Sequence, residues 1–229
     1  MRLIILLIII TFHPHFGHSD TFPVKNKTTY NFLLNLPESY ESRKENIPVI
    51  VFLHGRSLSG TNLDKVKRYG VLYAKNRGKQ IPDAIIVAPQ TNNGWNPEKV
   101  MEVIDYVLEN YNADPSRVDL CGMSMGGYGT MHVAGKYPER IAAAVAICGG
   151  GNVSDACNLT QVPLWIQHGS ADRAVPPSES RKIYNAIKKC NSEADAKLTI
   201  IKGGTHGSVE RLFHQPDIYK WMMQYEKKQ

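Results

Sequence analysis

Three residue types, met in one chain order, would do acyl chemistry: a serine, then an aspartate, then a histidine. The serine lies in Gly122-Met123-Ser124-Met125-Gly126, directly after the apolar run Val118–Cys121 and directly before a helical pattern. So sharp a strand-to-helix turn strains its central residue and needs small neighbours two positions away. It also sets the hydroxyl at a helix N-terminus, where the positive end of the dipole favours developing negative charge. The plain alternative is a glycine-rich turn whose serine only caps the helix. A phosphate loop does not fit, because no Gly-Lys-Ser/Thr follows.

A serine hydroxyl is a weak nucleophile at neutral pH and needs a base held in the right tautomer. On a strand-turn-helix serine the expected order is Ser, Asp or Glu, then His. Asp172 follows the run Leu164–Gln167 on the tight segment Gly169-Ser170-Ala171-Asp172 and is the expected acid; its alternative role is to stabilise a turn. Asp155 and Glu179 are rivals in poorer positions. His206 follows the run Leu198–Ile201 in Gly203-Gly204-Thr205-His206-Gly207 and is the expected base, since histidine titrates nearest neutrality.

The tetrahedral species of acyl transfer carries charge on oxygen, which two backbone N–H groups normally bind. Met125, next after the serine, is one expected donor. Arg56, in His54-Gly55-Arg56-Ser57 after the run Val49–Leu53, is the other, through its main chain. Trp95, on the polar loop Asn92-Asn93-Gly94-Trp95, reads either as packing or as a substrate-binding wall. His54 and His168 precede glycines at strand ends and read as structural. No His-Glu-x-x-His or comparable spacing exists, so a metal-dependent hydrolase is not expected.

These loops need a frame. Short apolar runs at Thr29–Leu36, Val49–Leu53, Ala84–Ala88, Val118–Cys121, Ala143–Cys148, Leu164–Gln167 and Leu198–Ile201 read as strands. Helical patterns alternate with them at Pro97–Tyr111, Met125–Tyr137, Pro177–Lys189 and Val209–Tyr225, the last interrupted by Pro216. Alternation predicts an α/β fold: a mostly parallel sheet with helices on both faces. Reactive groups in such sheets gather beyond the carboxyl ends of the strands. All the candidates named above follow a strand.

The chain has 229 residues, enough for one ordinary domain over residues 20–229. Residues 1–19 read as a secretory signal peptide: Arg2, the apolar run Leu3–Phe12, then Gly17-His18-Ser19 as a small-x-small cleavage pattern. The expected address is therefore secreted or periplasmic, with no stable membrane anchor after the signal is removed. Taking away residues 1–19 removes Arg2 and no acid, so a net charge of +6 becomes +5. The basic residues are scattered without interleaved aromatics, which argues against a nucleic-acid surface. Cys121 and Cys148 end apolar runs and read as buried small hydrophobes, whereas Cys157 and Cys190 could pair in an oxidising compartment.

Leu53-His54-Gly55, Gly122 through Thr130, Ala146 through Gly151, Asp172-x-x-Val175-Pro176 and Gly204-x-His206-Gly207 together resemble exported bacterial α/β-hydrolases. The group is labelled predicted peptidase, dienelactone-hydrolase-like, phospholipase/carboxylesterase-like or carbohydrate-esterase-like, with feruloyl and acetyl-xylan esterases among it. The resemblance spans roughly residues 30–225. It implies the α/β-hydrolase fold, no cofactor, an acyl-serine intermediate, and a small or carbohydrate-linked ester as substrate. The alternatives are a serine peptidase related to prolyl oligopeptidase and, from another class, a catalytically dead binding module. One scaffold hosts many chemistries, so the site must decide among them.

Overall fold

The computed structural model describes residues 21–228. The segment read as a signal peptide lies outside them. Eight strands form one sheet in the order β1-β2-β4-β3-β5-β6-β7-β8. They are β1 Thr21–Val24, β2 Phe32–Asn35, β3 Ile47–Leu53, β4 Ile85–Pro89, β5 Ala113–Met123, β6 Ala143–Ile147, β7 Leu164–Gly169 and β8 Ala196–Ile201. β1 and β2 join antiparallel at one edge, and every pairing from β4 to β8 is parallel.

The sheet is covered on both faces because its strands are apolar on both. Val49, Val51 and Leu53 of β3 enter one core with Val103 and Ile104 of α2 (Pro97–Asn110), Val133 of α3 (Met125–Lys136) and Ile183 of α5 (Pro177–Cys190). Ile50 and Phe52 point the other way, against Leu72 of α1 (Val71–Asn76) and Ile218 and Met222 of α6 (Pro216–Met222). This is the period-2 alternation of a strand whose two sides are both dry. Each such side chain, removed from water, contributes roughly 1.5–3 kcal/mol.

The strands and helices follow the hydrophobic pattern, with differences at their ends. β2 begins at Phe32, not Thr29, because the preceding residues turn: the Thr28 hydroxyl donates to the Tyr30 carbonyl at 2.8 Å. β3 runs through Pro48, and its pairing with β5 shifts register between Ile47 and Val49, where the missing N–H leaves a gap in the ladder. The expected helix Val209–Tyr225 is a 3-10 segment over Ser208–His214 followed by α6, which starts at Pro216. Proline cannot continue the first piece but suits the first turn of the second. β1, α1 and α4 (Ala156–Leu159) are too short to show a period in sequence. Cys157 of α4 is disulfide-bonded to Cys190 at the end of α5, while Cys121 and Cys148 are free and buried.

Candidate active site

Ser124 sits between β5 and α3 with φ +58° and ψ −121°, a region a non-glycine residue enters at a cost of about 1–3 kcal/mol. The surroundings enforce it. A Cβ on Gly126 would overlap the Leu53 carbonyl oxygen, and one on Gly122 would overlap the Gly126 carbonyl. Ser124 N donates to Ile147 O at 2.8 Å, fixing the turn to the neighbouring strand. Its side chain makes no capping bond to α3. The capping alternative therefore fails, and the hydroxyl is kept for something else.

The loops after β7 and β8 bring Asp172 and His206 together. Ala171 N donates to Gly204 O at 2.9 Å, tying one loop to the other. Asp172 Oδ1 accepts from the N–H groups of Ala174 and Val175, each at 2.9 Å, so the residue does stabilise its own turn. Its other oxygen, Oδ2, accepts from His206 Nδ1 at 2.7 Å. That bond orients the ring and leaves Nε2 for proton transfer. The Asp172 side chain is fully buried and the His206 ring is 28% exposed. Burial alone would raise the Asp172 carboxyl, but hydrogen bonds from Val175, His206, Cys148 and Ala174 outweigh it and hold it below the usual carboxylate value.

Among the described residues no hydrogen bond joins Ser124 Oγ to His206. The path between them runs through β6: Ser124 is bonded to Ile147, and the next residue, Cys148, places its sulfur against the acid and base. The Cys148 sulfur, a carboxylate oxygen of Asp172 and a ring nitrogen of His206 lie within 4.8 Å of one another. These three are also the cluster of described residues with the donors to hold a metal ion. Burial, reinforced by the Asp172 carboxylate, pushes the Cys148 thiol up to about 12, so it stays protonated and acts as a donor.

A second histidine backs the acid. His168, fully buried, places Nδ1 2.7 Å from Ser180 Oγ and Nε2 2.9 Å from Val175 O. Nε2 is also 3.4 Å from Asp172 Oδ2. Ser180 Oγ in turn donates to Gly149 O at 2.7 Å. One ring thus spans the acid's loop, α5 and the end of β6.

Arg56 opens a 3-10 turn over Arg56–Leu58, and Met125 opens α3. The first N–H groups of a helix lack internal partners, so both are available to an incoming oxygen. The loop is held from below. Tyr69 OH accepts from Gly55 N, and His54 accepts from Thr91 N through Nε2 at 3.2 Å while its Nδ1 donates to Gly55 O at 2.7 Å. Burial lowers the His54 pKa, in keeping with this neutral tautomer. Trp95 is 8% exposed, donates from Nε1 to His54 O at 3.0 Å and packs edge-on to Tyr30 and His54. Most of its ring supports the loop, and its edge borders a neighbouring cavity.

All six sequence candidates therefore lie beyond the carboxyl ends of parallel strands, and the structure bonds two of them, Asp172 and His206. Sequence reading missed Tyr69, which holds the 54–58 loop, and the contacts of His168 and Cys148 with Asp172. For the last two, the signal was their position at the ends of β7 and β6.

Residues 71–227 match the model of the dienelactone hydrolase family. The chain is 30% identical to a bifunctional acetylxylan esterase/xylanase of Neocallimastix patriciarum over 66% of its own length and 24% of that protein's. It is 28% identical to acetylxylan esterase A of Emericella nidulans over 87% of this chain and 67% of the relative. The human acylamino-acid-releasing enzyme is 29% identical over 73% of this chain but only 29% of its own length. A solved thermostable esterase superposes with a TM-score of 0.76 at 27% identity, covering 90% of this chain and 62% of that one.

Proposed function

Because the chain belongs to the dienelactone hydrolase family, we propose that it is a serine hydrolase that cleaves carboxylic esters, small or carbohydrate-linked, through an acyl-serine intermediate. The observation that carries this reading is the 2.7 Å bond from His206 Nδ1 to Asp172 Oδ2, made on loops that share a sheet edge with the strained Ser124. The names of its acetylxylan esterase relatives support a carbohydrate-linked substrate.

In this mechanism His206 Nε2 takes the Ser124 proton as Oγ attacks the ester carbonyl. The carbonyl oxygen becomes an oxyanion and accepts from the N–H groups of Met125 and Arg56. As it collapses, the C–O bond to the alcohol breaks and His206 returns the proton to the leaving alkoxide. Water then attacks the acyl-serine by the same route in reverse roles, releasing the acid and restoring Ser124. Asp172 keeps the ring in one tautomer and stabilises the imidazolium that forms. Catalytic hydrogen bonds are often long before substrate binds, and the Ser124–His206 bond forms in the substrate complex.

Export is part of the same proposal. It rests on the signal-like residues 1–19 and on the Cys157–Cys190 disulfide, since such bonds persist in oxidising compartments. No helix among the described residues is long and apolar enough to cross a membrane.

The test is a substrate panel on purified protein: p-nitrophenyl acetate, acetylated and feruloylated xylo-oligosaccharides, and peptide amides. Acid release from the esters is expected. Amine release from the peptides with no acid from any ester would overturn the reading in favour of a peptidase.

A further inference from the structure

A cavity of about 430 Å³ with a half-polar lining opens beside the 54–58 loop and has no part in the chemistry above. Its walls come from the segments before β2, after β3 and after β4. Gly60 and Thr61 of the wall follow the 3-10 turn that starts at Arg56, and Gly60 N donates to Thr91 O at 3.2 Å. Thr91 N, in turn, donates to His54. The cavity therefore shares a wall with the loop proposed to bind the oxyanion.

The lining chemistry is unusual for a ligand pocket, which is mostly apolar as a rule. Five carboxamide residues, Asn31, Gln90, Asn92, Asn93 and Asn96, line it, with three threonines and a single cation, Lys99. Asn31 Oδ1 already accepts from Asn26 N at 2.9 Å, so Asn31 presents its NH₂ donor, whereas Asn96 is held in the wall, its Oδ1 accepting from Lys99 N at 2.9 Å and its NH₂ bonded to the Glu98 carboxylate. The Asn92 and Asn93 side chains enter none of the hydrogen bonds among the described residues, which leaves donor and acceptor free on each. Lys99 lies 5.8 Å over the Tyr30 ring, and no carboxylate lines the cavity. Such a surface matches a neutral ligand dense in hydroxyls, each of which also donates and accepts.

The walls are fixed before any ligand arrives. Thr91 Oγ1 donates to Gly94 O at 2.7 Å, and Tyr30 OH accepts from Asn96 N at 3.1 Å while donating to Gly94 O. Gln90 Nε2 donates to Leu58 O at 2.7 Å and to Asn62 O at 3.0 Å, fastening the opposite side. A preformed wall spares the ordering cost of binding.

We propose that this cavity is a subsite for the sugar portion of the substrate, so that the glycan is held by carboxamides while its ester reaches Ser124. This inference rests on the ester-hydrolase reading and narrows it to glycan esters.

Two measurements test it. Unesterified xylotetraose titrated into the Ser124→Ala protein should shift the side-chain amide NMR signals of Asn31, Asn92 and Asn93. In the Asn92→Ala/Asn93→Ala double variant, kcat/KM for acetylated xylotetraose, divided by kcat/KM for p-nitrophenyl acetate, should fall by about ten-fold, the size of one or two lost hydrogen bonds. Unmoved amide signals, or an unchanged ratio, would overturn the subsite. Hydrolysis of p-nitrophenyl acetate but not of the glycan ester would overturn the subsite alone. Hydrolysis of neither would remove the ester-hydrolase reading and the subsite with it.

Discussion

His206 Nδ1 and Asp172 Oδ2 are 2.7 Å apart, although 34 residues and two separate loops divide them. The carboxylate's other oxygen is saturated by two backbone N–H groups, so it cannot rotate away from the ring. A histidine held this way can donate from Nδ1 only, which leaves Nε2 basic.

The substitution Asp172→Asn therefore tests the tautomer. The new carboxamide would still fill the space, but its NH₂ can stabilise the wrong ring form. The kcat on p-nitrophenyl acetate should fall about 10⁴-fold with the fold intact by circular dichroism. A fall of less than about ten-fold would mean that Asp172 only holds its turn.

His168 is fully buried against Asp172 and Val175, and in the proposed mechanism it positions the acid without touching substrate. His168→Phe removes the links to Val175 and Ser180 and lets the 172–176 segment drift. Displacement of a catalytic group by about 1 Å costs on the order of 10² in rate, so steady-state kinetics should show kcat reduced on that scale with KM near wild type. His168→Gln, which restores a donor towards Val175, should recover part of the loss. Equal losses in kcat for both variants would assign His168 to packing alone.

The disulfide acts on stability. Cys157 and Cys190 are 33 residues apart, and closing a loop of that length stabilises the fold by about 3–4 kcal/mol through the unfolded chain. The Cys157→Ala/Cys190→Ala variant should lose about that much in urea titration, while wild-type protein should lose it on reduction. A midpoint insensitive to dithiothreitol would contradict the pairing.

Asp119, on β5, is a buried acid that the site does not use. Burial raises its carboxyl well above the usual range, against weaker opposing effects from Arg117 and Ala143, and its Oδ1 has no hydrogen-bond partner. The sign follows from linkage. An acid whose folded pKa is raised adds stability that is fully present below its unfolded value near 3.9 and is lost as pH rises through the folded value. Asp119→Asn should remove this fall in stability, so that the variant's disadvantage in acid shrinks or reverses as pH rises. Parallel stability curves for the two proteins, followed by thermal unfolding across pH, would contradict it.

Much of this was legible in residue order. Pattern alone places Ser124, Asp172 and His206 on loops at strand ends, because apolar runs mark the strands and glycines mark the turns. Pattern does not show what crosses between elements. The His168–Ser180–Gly149 chain joins parts of three elements, and Tyr69 reaches Gly55 from a segment with no clear periodicity. The cysteines were legible by place and not by count: four allow three full pairings, but Cys121 and Cys148 end apolar runs and stay free, which leaves Cys157 to pair with Cys190. Trp95 shows the limit of pattern again: its loop is polar, yet the indole turns inward because Gly129 leaves room for it on α3.

The most decisive experiment on the nucleophile is labelling by a fluorophosphonate followed by peptide mass spectrometry, paired with turnover of p-nitrophenyl acetate by Ser124→Ala. A single adduct on Ser124 is expected, with a loss of about 10⁶-fold in kcat for the variant, as when a nucleophile is removed. An adduct on another residue, or turnover by Ser124→Ala comparable to wild type, would refute the role given to Ser124.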